Sequence, residues 1–579
     1  MSKIQYKFKY DEYGNTREVI VYGSGTAVSS ISFVNKGTAF NESERQQLGL
    51  QASLPPGIRD LEEQVENTRR IVENKVDDIE RFIFIRALFD RNVTLAHALI
   101  RSDLRKYVGI VYTPTIGQAV QRFSALYRQA NGLHFYPGNI DMAEDILRRY
   151  LHRDIRIAVV TDNQGIPGMG DQGAGGIAIC LGKLMLYTQG GGIAPWHCLP
   201  ISLDVGTDNE DLLNDKRYLG WRNKRLKGEE YLSFIGRFVR AFRNVFPDAL
   251  CQWENLSRHN AVSIRDAFAD EIITFNDNIQ GTGAIVLASI FSAMKVKKEK
   301  LSKQKFLVLG TDCGGIGVCE QLEIALREEG LDEQQARDAI FLADSKGIVT
   351  TETANEYYIK RYAKDPARFN WLVGCDNVKD VVLGSGATVL ISTQTSQACN
   401  ESGIVKAMLK NTDRPVVLPL HISAGTSNEC VRELLEVTDG KALIASDDPT
   451  NGTASNTDDD YQSKVSQSNN ILVFPGVGLG VLASGAREVL PEFFIAAAQA
   501  VSRCVRQDEL DSGRLLPSLA DLELVSNTVA LAVAKRAVEL GVSRPCVFSS
   551  FRHDGEEARL RELIKKMRWE PNYLPLIPM

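Results

Sequence analysis

Features that mark several specialised protein classes are missing from this 579-residue sequence. Lysine and arginine (67) are fewer than aspartate and glutamate (73), and the net charge of −6 provides no basic stripe for binding nucleic acid. The ten cysteines form no Cys-x-x-Cys pairs with zinc spacing, which favours reduced thiols in an intracellular protein. The longest uncharged apolar run, 283–294, is too short to cross a bilayer, so we expect a core helix and no membrane partner. The N-terminus lacks the apolar stretch of a signal peptide, and we expect a cytoplasmic protein.

What remains is the composition of a soluble globular protein, with 44% apolar and 24% charged residues. The chain is too long for one ordinary domain, and about two to four are expected. Residues 1–33 alternate apolar and polar side chains around a turn, which indicates a hairpin. Residues 41–130 carry the periodicity of amphipathic helices.

Short apolar runs separated by helical stretches dominate the sequence after residue 305. This rhythm predicts a doubly wound parallel sheet of the Rossmann type, with right-handed crossovers. The runs are 306–309, 340–343, 388–391, 416–420 and 443–445. Two earlier apolar runs, 155–160 and 199–205, are also typical of buried parallel strands.

The predicted fold is therefore α/β with several domains. A mostly helical N-terminal domain with a leading hairpin covers 1–130. The Rossmann-type domain, 279–464, is inserted into a catalytic α/β domain made of 131–278 and 465–538, because glycine-rich, site-like sequence returns near Asn470 after a polar stretch. Residues 539–579 form a C-terminal tail.

A glycine-rich turn at a strand–helix junction is the candidate cofactor site. Gly310, Gly315 and Gly317 have the spacing of a dinucleotide-binding turn, and Asp344 ends the next strand, where a carboxylate bonds the adenosine ribose. Asp312 occupies the position of the second glycine. A fixed carboxylate ~4 Å from a pyrophosphate oxygen costs on the order of 4 kcal/mol at an effective dielectric near 20, unless it turns away or pairs with a cation. The alternative is an ordinary tight strand–helix turn.

Tyr112 and Lys183 are candidate acid/base residues. Tyr112 follows an apolar, strand-like run and precedes Thr113-Pro114, at the end of an element where functional groups gather. Lys183 lies in an otherwise apolar helix, where burial lowers the pKa of a lysine toward values useful for catalysis. Each residue also has a purely structural interpretation, as a packing tyrosine and as a lysine that extends its amine to solvent.

Oxygen-bearing side chains in two separated segments form the candidate metal site. Glu254 and Asn255 follow one apolar run, and Asp277 and Asn278 follow another. Mg²⁺ and Mn²⁺ prefer oxygen ligands with several negative charges, so the amides of Asn255 and Asn278 predict weak binding, if any. Ordinary surface or capping roles remain open for each residue.

Taken together, these segments resemble the malic enzyme family, and the NAD-linked malic enzymes and malolactic enzymes in particular. The resemblance runs from Asn35 to Pro571. It implies that Tyr112 protonates an enolate, that Lys183 takes the substrate hydroxyl proton, and that Asp277 tunes Lys183. It also implies NAD (or NADP), Mn²⁺ or Mg²⁺, a small dicarboxylic acid substrate and a homodimer or homotetramer.

Four features depart from the family pattern. Gly165 replaces the arginine that binds the substrate carboxylate, and malolactic enzymes look similar at that point. The resemblance implies that Gly165, Asn469 and Asn470 are the substrate-binding positions, with Asn470 holding the substrate carboxylate. Asn255 and Asn278 replace aspartates of the metal site, and Asp312 replaces the cofactor glycine. The segment 420–426 replaces a Ser-Asn-Pro-Thr sequence, so its substrate-facing asparagine is missing.

Three functions agree with this pattern. The first is NAD-dependent oxidative decarboxylation of (S)-malate to pyruvate, or the related malolactic reaction. The second is the same fold acting on another small hydroxy- or oxo-acid. The third is a non-catalytic relative that serves as a partner or regulatory subunit. Retention of Tyr112 and Lys183 argues against the third, and loss of two carboxylates argues against the first.

Overall fold

A computed structural model describes residues 6–579 except for several short segments. These segments are 151, 153, 345, 373–374, 376, 394–401, 421–426, 447–463 and 545–554. Nearly all of the 420–426 departure and most of the polar stretch before Asn470 therefore lie outside the described residues.

Strands and helices follow one another along the whole chain. The strands are β1 Tyr6–Tyr10, β2 Thr16–Val21, β3 Leu133–Phe135, β4 Ile157–Thr161, β5 Cys198–Leu203, β6 Leu250–Glu254, β7 Thr274–Asn276, β8 Phe306–Leu309, β9 Ile340–Asp344, β10 Gly347–Ile348, β11 Val389–Ser392, β12 Val416–Pro419, β13 Leu443–Ser446, β14 Ser466–Gln467 and β15 Leu576–Pro578. The helices up to the middle of the chain are α1 Thr26–Ser29, α2 Glu42–Gln47, α3 Leu61–Glu73, α4 Asp78–Arg91, α5 Val93–Ser102, α6 Leu104–Val111, α7 Thr115–Gln121, α8 Phe123–Leu126, α9 Ala143–Arg149, α10 Ile177–Gly191, α11 Glu210–Asn214, α12 Gly228–Val245, α13 Arg258–Phe268 and α14 Thr282–Lys297. The later helices are α15 Cys313–Glu328, α16 Glu333–Asp338, α17 Tyr357–Lys360, α18 Val378–Ser385, α19 Ser402–Met408, α20 Ser427–Val437, α21 Phe474–Ser484, α22 Pro491–Arg503, α23 Gln507–Asp511, α24 Leu522–Glu539 and α25 Gly555–Met567.

The chain forms two compact units. The first contains 1–257, 270–273 and 550–579, and the second contains 258–269 and 274–549. Residues 465–538 thus cluster with the nucleotide-type fold, whereas the sequence groups them with 131–278. The predicted insertion and its boundaries stay a prediction.

The first unit combines a small N-terminal sheet, a helical layer and a parallel sheet. Strands β1 and β2 pair as the predicted hairpin, and β15 joins β2 in parallel. Helices α3 to α7 pack around a core that includes Phe82, Leu99 and Tyr107. Strands β3, β5, β4 and β6 lie side by side in that order, all parallel. Strands β4, β5 and β6 are buried along their whole length, which explains their continuous apolar sequence.

The second unit contains the predicted doubly wound sheet. Its strand order is β10-β9-β8-β11-β12-β13-β14. All the pairs are parallel except β10 with β9. The strand order reverses between β8 and β11, which is the place where open α/β sheets bind ligands. The five apolar runs predicted as strands after residue 305 are confirmed to within one residue at each end.

One stretch among the described residues, Asp277–Lys297, is long and apolar enough to cross a membrane by composition. Its most apolar window is 78% buried inside the protein. Helix α14, which makes up most of this stretch, is buried at nearly every position from Gly283 to Met294.

Candidate functional site

Lys183 lies in the middle of α10, and its side chain is only 3% exposed. Fourteen of the fifteen helix residues are buried, so the amine has no solvent face to reach along the helix. Its Nζ atom lies 3.2 Å from Oε2 of Glu254, whose side chain is equally buried. The alternative of a lysine that extends its amine to solvent is therefore wrong. Lys183 instead forms a buried ion pair at the end of β6.

Tyr112 lies beside Lys183. Nζ of Lys183 is 6.0 Å from the centroid of the Tyr112 ring. The close approach depends on Gly182, because a Cβ there would lie 2.9 Å from Cδ2 of Tyr112. The sequence interpretation of the preceding run as strand-like is wrong. The run forms α6, and Tyr112 ends it by donating its N–H to Val108. Its apolar residues follow helical spacing and pack into the helical core.

The Glu254 carboxylate is held by two polar groups from within the first unit. Oε2 accepts a hydrogen bond from Nε2 of Gln252 (2.9 Å) in addition to its contact with Lys183. The Tyr187 hydroxyl donates to Oε1 of Gln252. Gln252 and Glu254 share a face of β6 because they are two residues apart, and Tyr187 lies one turn after Lys183 on α10. All four side chains are buried.

Gly165 lies against the backbone that follows β6. Its N–H donates to the carbonyl of Asn255 (2.7 Å), and Asn255 itself has a left-handed φ of 55°. A Cβ on Gly165 would lie 2.2 Å from the carbonyl oxygen of Leu256. Any side chain at this position would therefore require the backbone to move. The absence of an arginine at position 165 therefore follows from the backbone conformation of the whole loop, and not from a single substitution.

A buried charge cluster holds the glycine-rich loop that contains Gly165. Arg225 lies 3.0 Å from Asp162 and 3.4 Å from Asp171, one carboxylate at each end of the loop. Asp162 also accepts from Tyr231 (2.7 Å) and from the Gln164 N–H (3.1 Å). Burial opposes the charged guanidinium, but the two carboxylates raise the pKa of Arg225 above its ordinary value. The loop is thus fixed by ion pairs, not by apolar packing alone.

The candidate metal ligands do not make a good site for Mg²⁺ or Mn²⁺. Within the first unit Glu254 already faces Lys183 and Gln252, and Asn255 provides no charge. Asn278 belongs to the second unit. The described residues contain no group of three or more His, Cys, Asp or Glu side chains placed to hold a metal ion. Hard divalent cations need several anionic oxygens, so the donors of the first unit, Glu254 and Asn255, do not fit them by themselves.

In the second unit Asp277 and Asn470 are in contact. Nδ2 of Asn470 donates to Oδ2 of Asp277 (3.1 Å), to the Asp277 carbonyl (3.2 Å) and to Oγ1 of Thr282 (3.2 Å). The structure brings these two predicted residues together, with Asn278 next along a short π-helical segment, Asp277–Gly281. Asn469 instead caps the following turn by accepting from the Ile471 N–H (3.0 Å). The substrate-binding roles of Asn469 and Asn470 stay predictions.

The glycine-rich turn after β8 has the geometry of a dinucleotide-binding turn. Gly310 has a φ of 134°, which favours glycine. A Cβ on Gly315 would lie 1.9 Å from the Gly310 carbonyl, and a Cβ on Gly317 would lie 1.9 Å from the Ile279 carbonyl. The three glycines are therefore required for the tight turn and for close helix packing. These residues fit a bound dinucleotide.

Asp312 is turned toward its own helix. Its Oδ1 accepts from the Gly315 N–H (2.9 Å) and from Oγ1 of Thr393 (2.6 Å), so it caps the N-terminus of α15. Thr393 directly follows β11, which places this contact where the strand order reverses. Arg258 donates to the carbonyl and the hydroxyl of Thr311, one residue before Asp312. The carboxylate remains at the helix end that would face a pyrophosphate.

Asp344 ends β9 as predicted, and its Oδ1 accepts from the Lys346 N–H (2.8 Å). Its ribose-binding role stays a prediction.

Two thiols near these groups have raised pKa values. Burial raises the pKa of Cys180, one turn before Lys183, well above its usual value. Desolvation also raises the pKa of the partly buried Cys313, beside Asp312, to about 12.

Sequence reasoning missed Gln252, Tyr187, Asp162, Arg225 and Thr393. The first two had a usable signal. Gln252 shares the strand face of Glu254, and a helical turn separates Tyr187 from Lys183. Arg225 and Thr393 are distant in sequence from their partners, and no local pattern indicates them.

Comparisons with known proteins agree with this geometry. The family model described as the malic enzyme N-terminal domain matches residues 89–269, and the model for the malic enzyme NAD binding domain matches 279–538. The NAD-dependent malic enzyme of Shewanella frigidimarina is 36% identical over 96% of this chain and 98% of its own. The NAD-dependent malic enzyme of Shewanella woodyi is 38% identical over 90% and 93%.

Solved structures show the same fold. The Entamoeba histolytica malic enzyme aligns with a TM-score of 0.52 at 19% identity, covering 88% of this chain and 93% of its own. The Pyrococcus horikoshii malic enzyme aligns with a TM-score of 0.51 at 20% identity, covering 80% and 89%.

Proposed function

This chain belongs to the malic enzyme family, and we propose that it oxidises malate with NAD and releases CO₂ and pyruvate. The observation that carries the proposal is the buried contact of Lys183 with Glu254 beside the Tyr112 ring. A buried lysine next to a tyrosine provides a base and an acid within one small volume. The dinucleotide-type turn supports NAD as the hydride acceptor.

Lys183, in its neutral amine form, takes the proton of the malate hydroxyl. Glu254, at 3.2 Å, stabilises the ammonium that forms. Once C2 is a ketone, the bond between C3 and C4 breaks, C4 leaves as CO₂, and its electron pair forms an enolate on C2 and C3. The Lys183 ammonium provides positive charge for the enolate oxygen, and its low-dielectric setting strengthens this stabilisation. Tyr112 gives a proton to C3, which completes pyruvate.

NAD, when bound, would supply the hydride acceptor that converts C2 to the ketone on which decarboxylation depends. Gly310, Gly315 and Gly317 would hold its pyrophosphate, and Asp344 its ribose. None of these steps requires a divalent metal, and the donor set of the first unit does not fit one.

Lys183→Ala tests this function. We expect kcat for NADH formation from malate to fall by about two decades or more, in the range usual for acid/base groups. Lys9→Ala, which removes an exposed lysine paired with Glu18, is the control and should retain wild-type rates. Equal activity of Lys183→Ala and wild type would make Lys183 a packing residue. No turnover by wild type on any small hydroxy-acid would favour a non-catalytic role.

Gly165 supports a second candidate, the malolactic reaction. The loop leaves no room for an arginine at 165, the feature shared with malolactic enzymes. In that reaction lactate accumulates from malate and no net NADH appears. Measuring lactate, pyruvate and NADH in one assay separates the two products.

We also propose a homodimer or homotetramer that works in the cytoplasm. Relatives of this length and family support assembly, and free thiols at Cys180, Cys198 and Cys319 support a reducing compartment. Sedimentation equilibrium tests the assembly, and a monomer at micromolar concentration would contradict it. Fractionation of cells tests the compartment.

A further inference from the structure

Four buried side chains of the first unit form one continuous polar chain, Tyr187–Gln252–Glu254–Lys183. The hydroxyl of Tyr187 donates to Gln252, Gln252 donates to Glu254 (2.9 Å), and Glu254 faces Lys183 (3.2 Å). Tyr187 and Gln252 are fully buried. Neither belongs to the acid/base pair, and neither is close to the surface.

The amide of Gln252 has one favourable orientation in this chain. Its NH₂ group must face the Glu254 carboxylate, because its oxygen there would oppose a negative charge. The Tyr187 hydroxyl then meets the amide oxygen, to which it donates. Tyr187 and Glu254 thus fix the same orientation from opposite sides, and the carboxylate is held toward Lys183.

This arrangement holds one oxygen of the Glu254 carboxylate against the lysine amine. The oxygen that contacts Lys183 is the one that accepts from Gln252. The next residue, Asn255, provides an amide where a second anionic ligand would help to hold a metal. A single carboxylate that already contacts an ammonium and an amide is poorly suited to bind a divalent cation.

We propose that Gln252 and Tyr187 are positioning residues for Lys183, and that Glu254 serves this chain as the counter-ion of the base and not as a metal ligand. The proposal rests on the acid/base function of Lys183 described above. Its consequence is that the Lys183 ammonium provides the cationic charge that the enolate needs, and turnover requires no divalent ion.

Gln252→Met and Tyr187→Phe test the positioning roles. We expect each to lower kcat by about tenfold or more, while KM for NAD stays within about twofold of wild type. In a Lys183→Ala background Gln252→Met should cause no further loss, because both changes act through one group. Additive losses would contradict the proposal.

Matched controls separate positioning from general damage. Gln189→Met removes a buried amide of α10, one that donates to the His97 carbonyl (3.1 Å). Tyr362→Phe removes a buried tyrosine hydroxyl, one that donates to the Glu323 carboxylate (2.9 Å). Both should retain kcat within about twofold. An equal loss in the controls would assign Gln252 and Tyr187 a structural role only.

Two measurements need no activity. A crystal structure of Gln252→Met should show the Glu254 carboxylate rotated away from Lys183, and an unchanged pair would overturn the positioning role. Calorimetric titration of wild type with MnCl₂ should show no saturable binding up to about 1 mM. Saturable micromolar binding that Glu254→Gln abolishes would make Glu254 a metal ligand and overturn the proposal.

The activity assay distinguishes the remaining failures. Wild type should turn over equally with EDTA and with MnCl₂. Turnover with MnCl₂ that is lost in EDTA contradicts the proposal that no divalent ion is needed, but it does not contradict the proposed malate reaction. Absence of turnover in both conditions contradicts the proposed function, and the crystal structure and the titration then decide the role of Glu254 alone.

Discussion

Single residues decide how this protein departs from the usual pattern of its family. Gly165 and Asp312 are both substitutions in sequence, yet the structure gives them opposite physical meanings. At Gly165 the backbone leaves no space for a side chain. At Asp312 the side chain is used, because it caps a helix and accepts from Thr393. The sequence alone shows both substitutions, but it does not show the environment of either residue.

Gly165→Ala tests the crowding at the loop. The added Cβ would lie 2.2 Å from the Leu256 carbonyl oxygen, so we expect a loss of unfolding free energy on the order of 1–3 kcal/mol and a higher KM for malate. Gly109→Ala, inside α6 with open space around it, is the control and should stabilise by about 0.5–1 kcal/mol. Chemical denaturation measures both. If Gly165→Ala has the same unfolding free energy as wild type, the loop accommodates the added Cβ without cost.

Asp312→Asn tests the charge at the pyrophosphate turn. Asparagine caps helices as well as aspartate does, so stability should hold while NAD affinity rises by about tenfold or more. Asp312→Ala should gain similar affinity but lose roughly 1 kcal/mol of stability with the cap. Calorimetric titration of NAD at two salt concentrations measures the change. If wild type already binds NAD tightly and Asp312→Asn does not change the NAD affinity, the capping contacts and Arg258 already neutralise the carboxylate.

At the scale of elements, strand ends and loops place the chemistry. The chemistry-bearing residues Asp162, Glu254 and Thr393 each follow or end a strand of a parallel sheet. The sequence predicted the strands before Asp162 and Thr393, because parallel strands buried on both faces have continuous apolar sequences. It misread the run before Tyr112, since short apolar runs fit a helix or a strand equally.

Arg225→Met tests how the glycine-rich loop is held. The change leaves the buried carboxylates of Asp162 and Asp171 without their cation, and we expect a loss of about 3–5 kcal/mol in unfolding free energy. The KM for malate should rise with loop disorder. Arg148→Met, at an exposed pair with Glu144, should leave the unfolding midpoint unchanged. Equal stability of the two variants would show that packing alone holds the loop.

At the scale of the whole molecule, the fold class was predictable from the sequence, and the inserted domain arrangement stays a prediction. Alternating strands and helices after residue 305 predict the Rossmann-type sheet directly. The glycine-rich sequence after Asn470 predicts that this segment belongs with the acid/base residues, and by compactness the segment clusters with 274–549. A glycine-rich sequence indicates local backbone freedom, but it does not indicate which hydrophobic core the segment packs against. The pairing of Gln252 with Tyr187 needed coordinates, because 65 residues separate them.

Malate labelled with ¹³C at C4 provides the sharpest test of oxidative decarboxylation by this chain. We expect wild type, given NAD in the presence of EDTA, to release ¹³CO₂ and to form NADH and pyruvate in equal amounts, and we expect Lys183→Ala to slow all three together. Release of ¹³CO₂ with lactate and no net NADH would replace oxidative decarboxylation with the malolactic reaction. No ¹³CO₂ and no NADH at saturating malate and NAD, with or without Mn²⁺, would contradict malate oxidation altogether.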